Sequence, residues 1–208
     1  MIRFFLAAFV LAILPGSALA HPTAYQGSTG MMGYLSPGMT DLEVNYSLRY
    51  WLAPSVQLLR YTEGTARPDY LLGKMNLLAH RWNGEHFQAN VYLHGGGGYA
   101  LEKKRGVYHA GITADIEDRR LYLLGQWDTV RSGLGTEVIY WKARAGFAPY
   151  LGDFDQIHSW LILEANRKSV GKGQIEIVPT LRIFYQNVLW EIGSSLGGEV
   201  HFNYIIHI

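Results

Sequence analysis

Apolar and polar residues alternate along most of the chain after residue 41. Apolar residues fill the even positions of 42–50 and polar residues the odd ones, and similar alternation runs through 87–94 and 108–117. A period of two places one kind of side chain on each face of a strand, whereas a helix requires a period near 3.6 residues. The pattern predicts strands at 42–50, 56–61, 71–82, 87–94, 108–117, 121–129, 137–147, 158–166, 175–185, 188–194 and 200–208.

Turn signals divide these strands. Short turns are predicted at 53–55, 83–84, 118–119 and 186–187, with Asn83-Gly84 typical of a type I′ hairpin. Longer loops are predicted at 62–68, at the glycine run 95–98 with 102–105, at 130–135 and at 167–173. Alternating short and long connections are typical of outer-membrane barrels, whose strand number is even. A further strand is therefore predicted at 31–35, which gives about twelve strands, with ten as the alternative.

The predicted fold is all-β, a single closed antiparallel up-and-down barrel. A barrel of about twelve strands is too wide for its apolar side chains to fill, so the apolar faces are predicted to point outward toward lipid. The alternative is a soluble periplasmic barrel with the faces inverted around an apolar ligand. Aromatic residues near predicted strand ends favour the lipid-facing arrangement, as an interfacial girdle. These residues are Tyr50, Trp51, Trp82, Trp127 and Trp160.

The N-terminus has the pattern of an export signal. A basic start at Arg3, an apolar run and the small residues around Ala20 predict a signal peptide at 1–20. The remaining chain is divided into an N-terminal segment at 21–40, with the possible first strand, and the barrel at 41–208. The chain has no cysteine, which is consistent with export.

Composition narrows the class of protein. Hydrophobic residues make up 49% of the chain and charged residues 17%, which excludes a disordered protein. The 18 basic residues nearly balance the 17 acidic ones, so no nucleic-acid partner is predicted. The apolar face of 200–208 runs to Ile208 and is similar to the C-terminal strand by which outer-membrane barrels are sorted. The predicted partners are therefore outer-membrane lipid and the barrel-insertion machinery; the oligomeric state is left open.

Four segments resemble a known family. They are LAHRWN at 78–83, DRR at 118–120, GFAPY at 146–150 and EVHFNY at 199–204. These segments resemble an uncharacterised proteobacterial family that is loosely associated with heavy-metal resistance loci, and the mature chain resembles a small Gram-negative outer-membrane β-barrel. The resemblance implies this fold and an outer-membrane location, and it implies no activity.

The polar strand faces are predicted to line the lumen. Charges of both signs can pair across strands there, which predicts a narrow or plugged interior. The protein is accordingly expected to be either a small passive channel or a structural component of the envelope. The predicted lumen-facing residues are Glu43, Asn45, Arg49, Gln88, Asn90, His94, His109, Asp115, Glu117, Lys142, Arg144, Glu176, Arg182, Glu191, His201 and Asn203.

A metal site is a further possibility near the N-terminus. His21 would offer an amine and an imidazole, and Met31, Met32 and Met39 follow within a short distance in sequence. Nitrogen and thioether ligands together suit copper, which makes a copper-associated envelope protein an alternative function. No paired histidine or cysteine spacing supports the site. No other cofactor is predicted.

Acyl hydrolysis is an alternative to a role without enzymatic activity. A turn at 196–198 would place Glu191, Ser195 and His201 on one strand face, as a serine hydrolase requires. No nucleophile-elbow motif accompanies them. The sequence therefore favours a protein without enzymatic activity.

Overall fold

A computed structural model describes residues 22–63, 67–152 and 156–208. The predicted signal peptide and His21 lie outside these residues. Twelve antiparallel strands pair in chain order, and β1 pairs with β12 to close the barrel. The predicted closed barrel of about twelve strands is confirmed. The strands are β1 (Thr29–Ser36), β2 (Met39–Tyr46), β3 (Leu52–Tyr61), β4 (Asp69–Asn83), β5 (Phe87–Ala100), β6 (Arg105–Asp118), β7 (Leu121–Ser132), β8 (Gly135–Phe147), β9 (His158–Lys168), β10 (Ile175–Tyr185), β11 (Val188–Ser194) and β12 (Val200–His207).

The two ends of the barrel are distinguished by the chain termini. The backbone N–H of Thr29 in β1 donates to the carbonyl of Ile208, so the chain enters and leaves at one end, called here the terminal end. The opposite end is called the far end. In the described part of the chain, no helix is long and apolar enough to cross a membrane.

Several connections between strands differ from the predicted ones. Residues 53–55 lie inside β3, and the connection before it is 47–51. Gly84 does not adopt the positive φ that a type I′ turn requires, and the connection there runs over 84–86. The connection 133–134 at the far end is short and the connection 148–157 at the terminal end is long, so the predicted separation of long and short connections between the two ends is wrong.

The glycine run 95–98 is part of β5 and not a loop. Gly96 pairs with Lys74 of β4, and a Cβ atom at Gly96 would lie 2.8 Å from the Lys74 Cα. The absence of side chains lets the two backbones approach closely there, which is a known role of glycine inside strands. The prediction of a loop was wrong because glycine enrichment marks both situations.

The outer face of the barrel is apolar. Val44 of β2 is 51% exposed and Ile112 of β6 is 42% exposed. Val91 lies opposite the exposed Ala114, and Leu48, in the connection 47–51, is 44% exposed. Leu48, Val91 and Ile112 therefore do not meet in a shared core, and the alternative with inverted faces is wrong.

The predicted aromatic girdle is found in part. Tyr50, Trp51 and Trp82 are exposed at the terminal end, whereas Trp127 lies outside at mid-strand, opposite Ile112. Trp160 faces the lumen, where its ring contacts Tyr122 edge-on with centroids 6.4 Å apart. The prediction for Trp160 was wrong because a residue near a strand end can occupy either face.

Large apolar side chains pack together at the far end of the lumen. Tyr61 ends β3, Tyr70 and Leu72 begin β4, and Tyr140 follows the start of β8; all four are buried. A barrel of this width is predicted to hold only water, a plug or polar side chains, yet tyrosine and leucine side chains pack inside this part. We call the following set the closing cluster: Met39, Leu59, Tyr61, Tyr70, Leu72, Ala100, Val107, Val130, Val138 and Tyr140.

Candidate functional site

A buried ion-pair network lies in the middle of the lumen. Arg144 of β8 donates from Nε to Glu164 at 2.6 Å, and from both terminal nitrogens to Glu191 of β11 at 3.0 and 2.7 Å. Arg182 of β10 donates to the same Glu191 carboxylate at 2.7 Å, and Asn203 adds a further bond of 2.5 Å. The Arg144–Glu191 pair links strands that are not neighbours, so it crosses the lumen instead of following the wall.

A second network lies on the opposite wall. Lys74 of β4 donates to Glu43 of β2 at 2.7 Å, and Asn76 donates to the other Glu43 oxygen at 2.7 Å. His94 of β5 continues the network, with Nδ1 2.9 Å from Asn76 and Nε2 3.0 Å from Thr113. Because each buried charge meets an opposite charge and further hydrogen bonds, the network can remain ionised in a low-dielectric interior.

Two further carboxylates of the lumen, those of Asp128 and Asp41, also have hydrogen-bond partners. His109 Nε2 lies 3.2 Å from the Asp128 carboxylate, which accepts another hydrogen bond from Gln126 at 2.6 Å. Asp41 accepts a hydrogen bond from Gln57 at 2.7 Å. Both carboxylates therefore already accept hydrogen bonds from side chains of the lumen.

The networks surround a cavity of about 410 Å³. At one extreme the cavity ends at the closing cluster, where Leu59, Tyr61 and Tyr140 line it. At the other it reaches residues of the terminal end, including Asp118 and Leu189. The cavity, called here the cup, therefore runs from the closing cluster to the terminal end, and its terminal-end side, which Pro22 also lines, is called the mouth.

Lys142 of β8 is the exception among the four lysine and arginine side chains that line the cavity. Lys74, Arg144 and Arg182 each lie within ion-pairing distance of a glutamate. Within the described residues, Lys142 forms no such pair; its ammonium lies 5.8 Å from the centroid of the Tyr34 ring. A cation over a tyrosine face is attracted by the ring but is not neutralised.

Most predicted lumen residues occupy the inward face. Arg49 is the exception, because it lies in the connection 47–51 and is exposed. The prediction was wrong because β2 ends at Tyr46 although the alternation continues past it. The inward residues are Glu43, Asn45, Gln88, Asn90, His94, His109, Asp115, Glu117, Lys142, Arg144, Glu176, Arg182, Glu191, His201 and Asn203.

Several lumen residues were missed. Lys74 and Asn76 lie two residues apart in β4, which puts them on one face, but apolar residues flank them on both faces. Glu164 of β9 and Asp128 of β7 lie in strands whose alternation is equally weak. The available signal was the spacing of the polar residues, because positions two apart share a face of a strand.

The structure does not bring the three predicted methionine ligands together. Met31 lies opposite the exposed Val44 and points outward, and Met32 lines the cavity opposite Glu43. Met39 belongs to the closing cluster. Adjacent residues of a strand point to opposite faces, so Met31 and Met32 cannot bind one ion. With His21 outside the described residues, copper binding stays a prediction.

Three glutamates cluster at the far end. Carboxylate oxygens of Glu63, Glu176 and Glu199 lie within 4.8 Å of one another. Lysines accompany them: Lys168 is 3.1 Å from Glu176, and Lys172 is 3.1 Å from Glu199. The hydrogen bond to Glu199 raises the pKa of Lys172. The lysines already supply the positive charge that a cation would bring.

The considered hydrolase triad is not assembled. Glu191 is held by Arg144, Arg182 and Asn203, and His201 Nδ1 lies 2.8 Å from the Tyr34 hydroxyl. The Ser195 hydroxyl accepts a hydrogen bond from the backbone N–H of Glu199. The three side chains therefore have separate partners, and the absence of enzymatic activity stays a prediction.

Among known proteins, the chain shows similarity only to barrels of solved structure. No family model matches the chain, and no curated protein matches it. The resemblance to a heavy-metal-associated family therefore stays a prediction.

Three solved structures illustrate the similarity. A KdgM porin in complex with disordered oligogalacturonate is 9% identical, with a TM-score of 0.49 over 86% of this chain and 97% of that one. LpxR from Salmonella typhimurium is 10% identical, with a TM-score of 0.44 over 87% and 99%. A loop-deletion mutant of OmpT, an outer membrane protein of Vibrio cholerae, is 8% identical, with a TM-score of 0.32 over 88% and 97%. Similarity at this level assigns no site or activity to this chain.

Proposed function

We propose that this protein is an outer-membrane β-barrel whose lumen is closed to solutes, and that it serves the envelope as a closed component and not as an open passive channel. The closing cluster is the observation that carries the proposal. It places three tyrosines, Tyr61, Tyr70 and Tyr140, among aliphatic side chains at the far end, on the seven consecutive strands β2 to β8, and these residues are buried.

The outer surface supports the membrane location. Strand residues such as Leu123 and Trp190 are about half exposed, and they continue the apolar face formed by Val44 and Ile112. A water-soluble barrel with such a surface would expose an apolar area far larger than soluble monomers tolerate. Outward apolar and inward polar faces are the arrangement of transmembrane barrels.

The ion-pair networks support closure by a second mechanism. Arg144 connects β8 with both β9 and β11, and Lys74 connects β4 with β2. Widening the lumen would separate buried charges from their partners, which costs about 3–5 kcal/mol for each broken pair. The networks therefore oppose an expansion that would otherwise admit solutes past the closing cluster.

Permeability measurements test closure directly. The purified barrel is reconstituted into liposomes, and swelling in an iso-osmotic small sugar is recorded. We expect vesicles that contain the unmodified chain to swell no faster than protein-free vesicles. A double variant, Tyr61→Ala with Tyr140→Ala, removes two rings from the closing cluster and is expected to swell measurably. Tyr108→Ala, which truncates an outward tyrosine, is the control. Rapid swelling by the unmodified chain would contradict closure.

Fractionation tests the location separately. A membrane barrel is expected to remain with the outer membrane during osmotic shock and to migrate faster in electrophoresis when it is not boiled. Release of the protein into the shock fluid would contradict the membrane location without deciding whether the lumen is closed.

A further inference from the structure

We propose that the lumen cavity binds a small organic anion with an aromatic or apolar body, and that the ammonium of Lys142 is its counter-ion. This inference goes beyond the proposed function, because closure of the far end neither requires nor excludes a ligand in the cup. It rests on the pairing of the cavity's cations, the composition of its walls and the position of its mouth.

Lys142 differs from the other lysine and arginine side chains of the cavity in its ion pairing. The Lys74 ammonium is 2.7 Å from Glu43, and both Arg144 and Arg182 bind Glu191. Within the part of the chain that the structure describes, Lys142 faces the cavity without a carboxylate inside 4.0 Å, and its ammonium lies 5.8 Å from the centroid of the Tyr34 ring. A buried cation is costly unless it is paired, so an anion in the cavity would supply the missing partner.

The walls indicate what kind of anion fits. Tyr34, Tyr122, Trp160 and Phe184 line the same cavity, and its volume of about 410 Å³ lies in the range of small-molecule sites. Aromatic walls favour a flat or apolar ligand body, because aromatic pairs gain energy from offset or edge contacts. A carboxylate carried by an aromatic ring has both required features.

Seven acidic and four basic side chains line the cavity, so the preferred charge of a ligand depends on which of them already have partners. Asp41 accepts from Gln57, Asp115 accepts from Asn90, and Asp128 is bound by Gln126 and lies beside His109. These carboxylates have hydrogen-bond donors already, whereas the Lys142 ammonium has donors without an acceptor among the described residues. The cavity should therefore prefer an anion over a cation of the same shape.

The position of the mouth indicates where a ligand would enter the cavity. Asp118 and Leu189 line the cavity at the terminal end, whereas the closing cluster blocks the far end. A ligand would enter between the ends of β6 and β11 on the side of the chain termini.

Ligand binding can be tested with 4-fluorobenzoate as the probe. The chain without the predicted signal peptide 1–20 is refolded in detergent micelles, and ¹⁹F line broadening of the probe is titrated, with 4-fluorobenzamide and 4-fluorobenzylamine as neutral and cationic analogues. We expect saturable binding of the benzoate only. Lys142→Gln should weaken it at least about tenfold, because a charge-assisted hydrogen bond is lost. Lys142→Arg should retain most of it, and Lys172→Gln, at an exposed lysine, should not change it.

Heat-modifiable migration of each variant shows that the barrel is folded. The proposal is overturned if the folded, unmodified chain shows no saturable benzoate binding, if folded Lys142→Gln binds as tightly as the unmodified chain, or if the benzylamine binds at least as well as the benzoate. None of these results depends on liposome swelling, so failure of this proposal is distinguishable from failure of the closed-lumen proposal.

Discussion

Arg144 and Glu191 form a two-pronged ion pair across the lumen, with N–O distances of 3.0 and 2.7 Å between β8 and β11. Both side chains are buried. Bidentate geometry is the strongest form of an arginine–carboxylate contact, because two parallel charge-assisted bonds fix its orientation. This pair links β8 with β11, which β9 and β10 separate in the wall.

Removal of this arginine should strongly destabilise the barrel. Arg144→Met leaves the Glu164 and Glu191 carboxylates without their shared partner, which predicts a loss of about 3–5 kcal/mol in the free energy of unfolding. Urea unfolding in detergent, followed by heat-modifiable migration, measures it. Lys172→Gln removes an exposed ion pair and should leave the midpoint unchanged. An unaltered midpoint for Arg144→Met would show that the network contributes little.

Two adjacent leucines of β4 test the closing cluster. Leu72 is fully buried in the cluster, whereas Leu71 is 46% exposed on the outer face. Leu72→Ala opens a cavity among packed side chains and should cost about 2–5 kcal/mol. Leu71→Ala should cost less, because detergent chains fill the space outside. Equal losses, measured by urea unfolding of both variants, would mean that the far end is not packed as described.

Neighbouring glycines of β5 test the close approach of β4 and β5. A Cβ at Gly96 would lie against the backbone of Gly73 and Lys74, whereas a Cβ at Gly95 would meet no atom within 4 Å. Gly96→Ala should therefore destabilise the barrel by about 1–3 kcal/mol through overpacking. Gly95→Ala is expected to be neutral or slightly stabilising, because alanine loses less conformational entropy on folding than glycine. Thermal unfolding of both variants compares them, and a tolerant Gly96 would contradict the close approach.

A charge on the outer face tests burial in lipid. Ile112→Lys introduces an ammonium at a mid-strand outward position and should reduce the free energy of folding into vesicles by about 2–4 kcal/mol. Leu134→Lys places the same charge in the connection 133–134, where the residue is 84% exposed, and should have no effect. Urea titration of folding into vesicles measures both. An Ile112→Lys variant that folds like the unmodified chain would place that face in water.

The strands and their faces could be predicted from the sequence because a period of two is a local property. The bounds of β10 and β11 agree with the prediction residue for residue, and the strand inferred from an even strand count is β1. The N-terminal half of β4 carries leucine on both faces, so no periodicity distinguishes Leu71 from Leu72.

Contacts between strands that are distant in sequence cannot be predicted from a period of two along each strand. Lys142 was predicted to face the lumen, but its lack of a carboxylate depends on where Glu164 and Glu191 place their oxygens. The closing cluster likewise depends on side chains from seven strands meeting at one level of the barrel. Register and tilt decide both, and neither is encoded in a single strand.

Depth-dependent quenching at Ile112 tests most directly which face meets lipid, on which the closed lumen and its cavity both depend. The chain has no cysteine, so Ile112→Cys, Thr113→Cys and Leu134→Cys can each carry one bimane label in vesicles that contain brominated lipid. The described fold predicts strong quenching at position 112, weak quenching at the inward position 113 and none at 134. Strong quenching at 113 with none at 112 would mean that the barrel is inverted.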